Sequence, residues 1–328
     1  ICFIIHIIMN FSLNAQSRSR RRSVQQKQIQ KRIEESKHFL SIVNGVQVNH
    51  TLAGFFSCSN IRLRAIIDYV NNKSELPQIV DSSRQYKWYK NNEGDITFQY
   101  FKHYNEVQTI IDIYKTPIQI SFDNKEDQFS DYRLLNYDIL TQYMQKYFSP
   151  SIEIENIGKR IENKYNIDYN NTVVVFYRGL DKSQETKVVS YESYLEQVNN
   201  ILIYEPHLKV LIQSDESEFL EYMESALQDK CFYLKDEIQH TTKSDVVIPL
   251  VMKENKDVFS KNFLAIIILM SKCKYIVCGS GNCSLWIMYY RGNANNVYQQ
   301  LQEDWLVHEY KENITYCKDE LMPEGVFV

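Results

Sequence analysis

Four apolar residues in an unbroken row, Val173 to Phe176, constrain this chain more than any other segment. A strand exposed on one face alternates apolar and polar side chains. A run without alternation must be covered on both faces, the condition of a strand in a helix-flanked parallel sheet. The run leads directly into Arg178, Asp181, Lys182 and Glu185 in VVVFYRGLDKSQE, residues 173–185. These charged side chains stand at the strand's carboxyl end, the edge of an open α/β sheet where ligands bind. Arg178 can fork onto a phosphate, and Glu185 or Asp181 can take a proton. A solvated, charged βα loop would have the same composition, so the segment by itself leaves both readings open.

The residues that follow supply the rest of an alternating fold. YESYLEQVNNIL (191–202) places Tyr191, Leu195, Val198 and Leu202 on one helical face, and HLKVLIQSD (207–215) is a strand ending in Ser214 and Asp215. A helix over 216–227 and a short strand, CFYL (231–234), come next. NFLAIIILMSK (262–272) predicts an apolar helix, YIVCG (275–279) a strand, LWIMYYRG (285–292) a helix and NVYQ (296–299) a last short strand. Strands alternating with helices, joined by right-handed crossovers, build a doubly wound parallel sheet, so the class is α/β.

Three strand ends then share one edge: Arg178 to Glu185, Ser214 with Asp215, and the loop Ser280 to Ser284. In that loop Gly279 and Gly281 let the backbone bend closely around a ligand. The N–H groups opening the helix at Leu285 point toward it with a positive dipole end. Ser280, Asn282 and Ser284 add side-chain donors, although ordinary helix capping also accounts for Asn282 and Ser284. The loop is neither a Walker motif nor GxGxxG.

The first half is less regular. FLSIVNGV (39–46) reads as a strand, LAGFFSCSN (52–60) as a turn with Gly54, Ser57 and Ser59, and IRLRAIIDYVNN (61–72) as a helix. LPQIVDSS (76–83) is a second strand and its polar loop. Between 84 and 165, ITFQYF, QTIIDIY and IQISF are strand candidates, YDILTQYMQKYF (137–148) an amphipathic helix, and 153–171 a bridging helix and linker. These patterns divide the chain into a basic N-terminal tail (1–36), an N-terminal domain (37–165) and a C-terminal domain (166–328).

A chain of 328 residues is long enough for two domains, and 44% hydrophobic with 24% charged residues can form a sizeable core. A net charge of −4 argues against nucleic acid as a partner. Cys273, Cys278 and Cys283 are spaced five apart, unlike the CxxC pairs of zinc sites, and read as free thiols of a reduced compartment. Residues 1–8, ICFIIHII, are too few to span a bilayer. As the end of an anchor they would place the protein in the membrane-anchored secretory pathway; as a read-through upstream of Met9 they would leave it cytoplasmic. Contact of the basic tail with a membrane stays open.

FYRGLDKSQE, VLIQSDESEFL and LMSKCKYIVCGSGNCSLW together resemble the three donor-site motifs of the fucosyltransferase superfamily, the α1,6-, α1,2- and protein-O-fucosyltransferase-like GT-B enzymes, over roughly residues 170–300. The resemblance implies two Rossmann-like domains with parallel sheets facing a central cleft. It also implies an inverting, metal-independent transfer of fucose from GDP-fucose to a glycan or protein hydroxyl, with no cofactor beyond that donor substrate. By the same resemblance Arg178 would hold the donor pyrophosphate with Lys182 nearby, Asp181 would orient one of them, and Glu185 would be the base. Asp215 would lie near the nucleotide, and Ser280, Gly281, Asn282 and Ser284 would cradle the phosphates. The chain departs from the family pattern at Gly179, where a second arginine is usual, and at Ile266, where an aspartate is common. A catalytically silent glycan- or nucleotide-binding protein on the same scaffold is the alternative.

Overall fold

The computed structural model describes residues 45–49, 53–90, 94–107, 127–184, 186–237, 240–242 and 256–301. The expected tail, the strand candidates QTIIDIY and IQISF, most of the strand expected over 39–46, and Glu185 lie outside the described residues.

β1 (Gly45–Gln47) is followed by α1 (Phe55–Lys73) and β2 (Ile79–Asp81), and β1 and β2 pair in parallel. Phe55 to Asn60, expected as a turn, are already helical. The signal that sequence lacked is a cap from a distant residue: the Phe55 N–H donates to the Tyr89 hydroxyl at 2.9 Å, from 34 positions away, while Cys58 N bonds Gly54 O. ITFQYF also departs from expectation. Thr97–Tyr100 form a single helical turn, α2, because the Asp95 carboxylate accepts from both Thr97 N and Thr97 Oγ1. That local bond outweighs the β-propensity of its aromatic residues. α3 (Tyr137–Tyr147) and α4 (Ile152–Tyr165) follow, capped by Asn136 Oδ1 and Ser151 Oγ.

The alternation expected of the second half is present as β3 (Thr172–Tyr177), α5 (Tyr191–Tyr204), β4 (Lys209–Ser214), α6 (Ser217–Leu227), β5 (Cys231–Tyr233), α7 (Lys256–Ser271), β6 (Tyr275–Gly279), α8 (Asn282–Arg291) and β7 (Val297–Gln300). The five strands form one parallel sheet in the order β5-β4-β3-β6-β7. The protein is therefore α/β with parallel sheets.

The register explains the apolar run. Val174 and Phe176 point into one core with Leu211, Ile276 and Cys278, against α7 and α8. Val173, Val175 and Tyr177 point into the other with Val210, Ile212 and Val277, against α5 and α6. The first core continues into the N-terminal half: Trp286 of α8 lies 5.7 Å from the Phe56 ring of α1 and 5.0 Å from Phe148. At the far end of α8, Arg291 ties neighbouring turns together. Its Nη1 donates to Ser271 O (3.0 Å) and Cys273 O (2.5 Å), and its Nη2 to Lys274 O (3.0 Å) and Asn295 O (2.9 Å). On the outer face of α7's partner α4, Arg160 grips the Glu237 carboxylate through both nitrogens (2.8 and 2.6 Å), with Lys164 at 3.0 Å.

Among the described residues, no helix is long and apolar enough to cross a membrane, and no group of three or more His, Cys, Asp or Glu is placed to hold a metal ion. Cys58, Cys231, Cys273, Cys278 and Cys283 are free thiols.

Candidate functional site

The chain leaves β3 toward β4 on one side and leaves β6 toward β7 on the other, so the gap between the carboxyl ends of β3 and β6 is the sheet's topological switch point. A crevice forms where crossovers diverge in this way. Arg178 and Lys182 stand after β3, Asp215 and Glu216 after neighbouring β4, and Ser280 and Gly281 after β6.

Arg178 is fixed by Asp215. Its Nε donates to Asp215 Oδ2 at 2.5 Å, the Gly179 N–H donates to Oδ1 at 3.1 Å, and Arg178 Nη1 reaches Cys283 Sγ at 3.2 Å. Burial pushes the Cys283 thiol up, opposed by the neighbouring guanidinium. Asp181 lies in the short 3₁₀ turn Asp181–Gln184, which also carries Lys182. Gly179 stands against Glu216, whose carboxylate also bonds the Tyr191 hydroxyl. Arg178 is thus paired with Asp215, while the Glu216 carboxylate lies against Gly179 and Tyr191.

Gly281 has φ 157° and ψ 160°, a region open essentially to glycine alone. This extended, glycine-specific residue stands directly before α8, which begins at Asn282, three residues earlier than the sequence suggested. A Cβ at Gly281 would meet Lys182 Cε at 3.4 Å, so loop and lysine are in contact. The loop's side chains are engaged with the protein. Ser280 Oγ accepts from Gln299 Nε2 of β7 (3.0 Å), Asn282 Nδ2 donates to Ser57 Oγ of α1 (3.0 Å), and the Ser284 hydroxyl meets the buried Cys278 thiol. The backbone N–H groups at the start of α8 are the groups directed at the crevice.

Those N–H groups and Lys182 have partners that sequence reasoning missed. Gln128 Oε1 accepts from Lys182 Nζ at 3.0 Å and from the Asn282 N–H at 3.2 Å. The Tyr132 hydroxyl accepts from Gly281 N (3.1 Å) and also lies within bonding distance of the carbonyls of Gly281 and Gln128, 3.2 Å from each. Gln299 holds this segment too, with Nε2 on Ser130 O (3.0 Å) and Oε1 accepting from Tyr132 N (2.9 Å). Nothing local in the sequence marks Gln128 or Tyr132, because their partners in the crevice are 54 to 154 positions away.

No protein-family profile matches this sequence, and no curated protein matches it. Solved structures similar to it include a point mutant of Arabidopsis thaliana FUT1 in complex with GDP, at 10% identity and TM-score 0.31, covering 47% of this chain and 34% of that one. POFUT1 in complex with GDP is 13% identical with TM-score 0.31, and its apo form 14% identical with TM-score 0.29; each comparison covers 49% of both chains. The chain thus spans between a third and a half of the length of these proteins. The α/β assignment stands on the strand order and register given above.

Proposed function

We propose that this chain is an inverting glycosyltransferase on a GT-B-like scaffold, moving a sugar from a nucleoside diphosphate to a glycan or protein hydroxyl. One observation carries the proposal: the Lys182 ammonium and the first N–H of α8 converge on a single oxygen at the switch point of a parallel sheet. An ammonium and a helix N-terminus sharing one acceptor is the donor set of a phosphate oxygen. The motif resemblance narrows the donor to GDP-fucose.

In such a transfer the acceptor oxygen attacks the anomeric carbon while the bond from that carbon to the diphosphate oxygen breaks. The leaving diphosphate keeps the bonding electron pair, and its charge is offset by Lys182, Arg178 and the α8 terminus without a metal. Glu185 takes the acceptor proton. Asp215 acts on Arg178 rather than on the ligand: it holds the guanidinium in one orientation through Nε. The second reading is a binding protein on the same scaffold, without transfer.

Titration calorimetry of the full chain with GDP and with GDP-fucose tests the donor site. Saturable heat with both is expected, and no heat with either overturns it. A panel of sugar nucleotides assayed for turnover against mixed glycan acceptors then separates transferase from silent binder.

A further inference from the structure

The oxygen at the convergence of Lys182 and α8 belongs to the protein itself. Gln128 is 6% exposed, and its amide oxygen bridges the lysine ammonium and the Asn282 N–H. The next residue, Phe129, places its ring 4.8 Å from Lys182 Nζ. Tyr132, fully buried, closes over the Gly281 peptide unit. Three side chains of one short segment, Gln128, Phe129 and Tyr132, therefore cover the ammonium, the helix terminus and Gly281 together. The segment is held from the far side by Gln299, whose amide bonds Ser130, Tyr132 and Ser280.

We propose that Gln128 to Tyr132 form an autoinhibitory strap in which the Gln128 amide oxygen stands in for a phosphate oxygen and must withdraw before an anionic ligand can reach Lys182 and Asn282 N. The proposal rests on the phosphate-site assignment above and adds its regulation. The physical basis is a competition between acceptors. A neutral amide oxygen makes a charge-assisted bond to the Lys182 ammonium and an ordinary one to the Asn282 N–H. A phosphate oxygen carries charge itself, so it makes an ion pair with Lys182 and a charge-assisted bond to the N–H, and both contacts are stronger than the amide's. The anion therefore wins the exchange at the contact itself, but it must also open the Tyr132–Gly281 bonds. A ligand that binds only the open form has its apparent affinity reduced by the open fraction, so a strap closed about nine-tenths of the time weakens binding about tenfold. A strap of this kind keeps the ammonium and the helix terminus dry and partnered when no ligand is present, and it sets a threshold of ligand charge for entry.

The test uses the full chain, with inorganic pyrophosphate and GDP as probes in titration calorimetry. Gln128→Ala removes the competing oxygen, and Tyr132→Phe loosens the strap at Gly281 with little change of volume. Each is expected to bind both probes about three- to tenfold more tightly than wild type, on the scale of one or two neutral hydrogen bonds. Gln128→Glu places a carboxylate on Lys182 and is expected to bind them more weakly than wild type. Hydrogen exchange of residues 128–135 is expected to speed up on adding pyrophosphate to wild type. Unchanged or weaker binding by both Gln128→Ala and Tyr132→Phe, with wild type binding normally, overturns the strap and leaves the phosphate site standing. Failure of wild type and both variants to bind either probe overturns the two together. Should Gln128→Ala not fold, Tyr132→Phe and the exchange measurement decide the matter alone.

Discussion

The Glu216 carboxylate fills the space that any side chain at position 179 would need: a Cβ on Gly179 would stand 2.8 Å from Glu216 Cδ and 2.6 Å from Tyr177 Cε1. An arginine at 179 would run into that wall of ring carbon and carboxylate.

Gly179→Ala is expected to destabilise the fold by roughly 1–3 kcal/mol, the range for overpacking a filled site. In a Glu216→Ala background the same change should cost much less. Chemical denaturation of the wild type, both single variants and the double variant closes a cycle, and additive effects would show that the two residues do not compete for space.

Arg178→Ala should weaken nucleoside diphosphate binding by about 2–4 kcal/mol, the scale on which one member of a close charge pair is lost. Arg178→Lys keeps the charge but gives up the planar fork that grips Asp215 through Nε, so it should recover only part of the loss. Calorimetry reads both; unaltered binding in Arg178→Ala removes the residue from the donor site.

Glu185→Gln is expected to keep donor binding and lose transfer, since an amide is nearly isosteric with a carboxylate but cannot accept the proton. Donor calorimetry paired with a turnover assay distinguishes the two effects, and surviving transfer would assign the base elsewhere.

Glu237 offers a prediction independent of the ligand site. Arg160 holds its carboxyl below the usual 4.5, assisted by Lys164. A lowered value in the folded state means that the stabilisation is fully present above pH 4.5 and is lost as pH falls through the lower folded value. Glu237→Gln should therefore cost roughly 1–3 kcal/mol at neutral pH, with the gap to wild type closing in acid. Denaturation curves at pH 7 and near pH 3 supply the comparison.

The second half of the chain was legible because each element answers to a local rule. β6 spans the predicted YIVCG, and the apolar runs of β3 and β4 reflect burial on two faces that the register then displays. Convergence of Arg178, Asp215 and the Ser280 loop followed from topology alone. The first half was less legible for two reasons. The start of α1 depends on Tyr89, 34 positions away, and at Thr97–Tyr100 a local bond to Asp95 overrides the β-propensity that the aromatic residues display. Gln128 could not be found by pattern, since a lone glutamine in a polar and aromatic stretch carries no signal of the lysine and helix it will meet. Glu216 was visible in the sequence, but its exclusion of a side chain at 179 is a matter of three-dimensional volume.

Arg291 decides which side of the crevice can yield. Its guanidinium staples three carbonyls at and after the end of α7 to that of Asn295 beyond α8, so the β6–α8 unit is anchored at the end opposite Gly281. A clamp on four carbonyls leaves that unit little freedom to hinge. Whatever accommodation the crevice makes to an incoming molecule must then be one-sided, with the wall of Ser280 to Ser284 standing still while the opposite wall gives way.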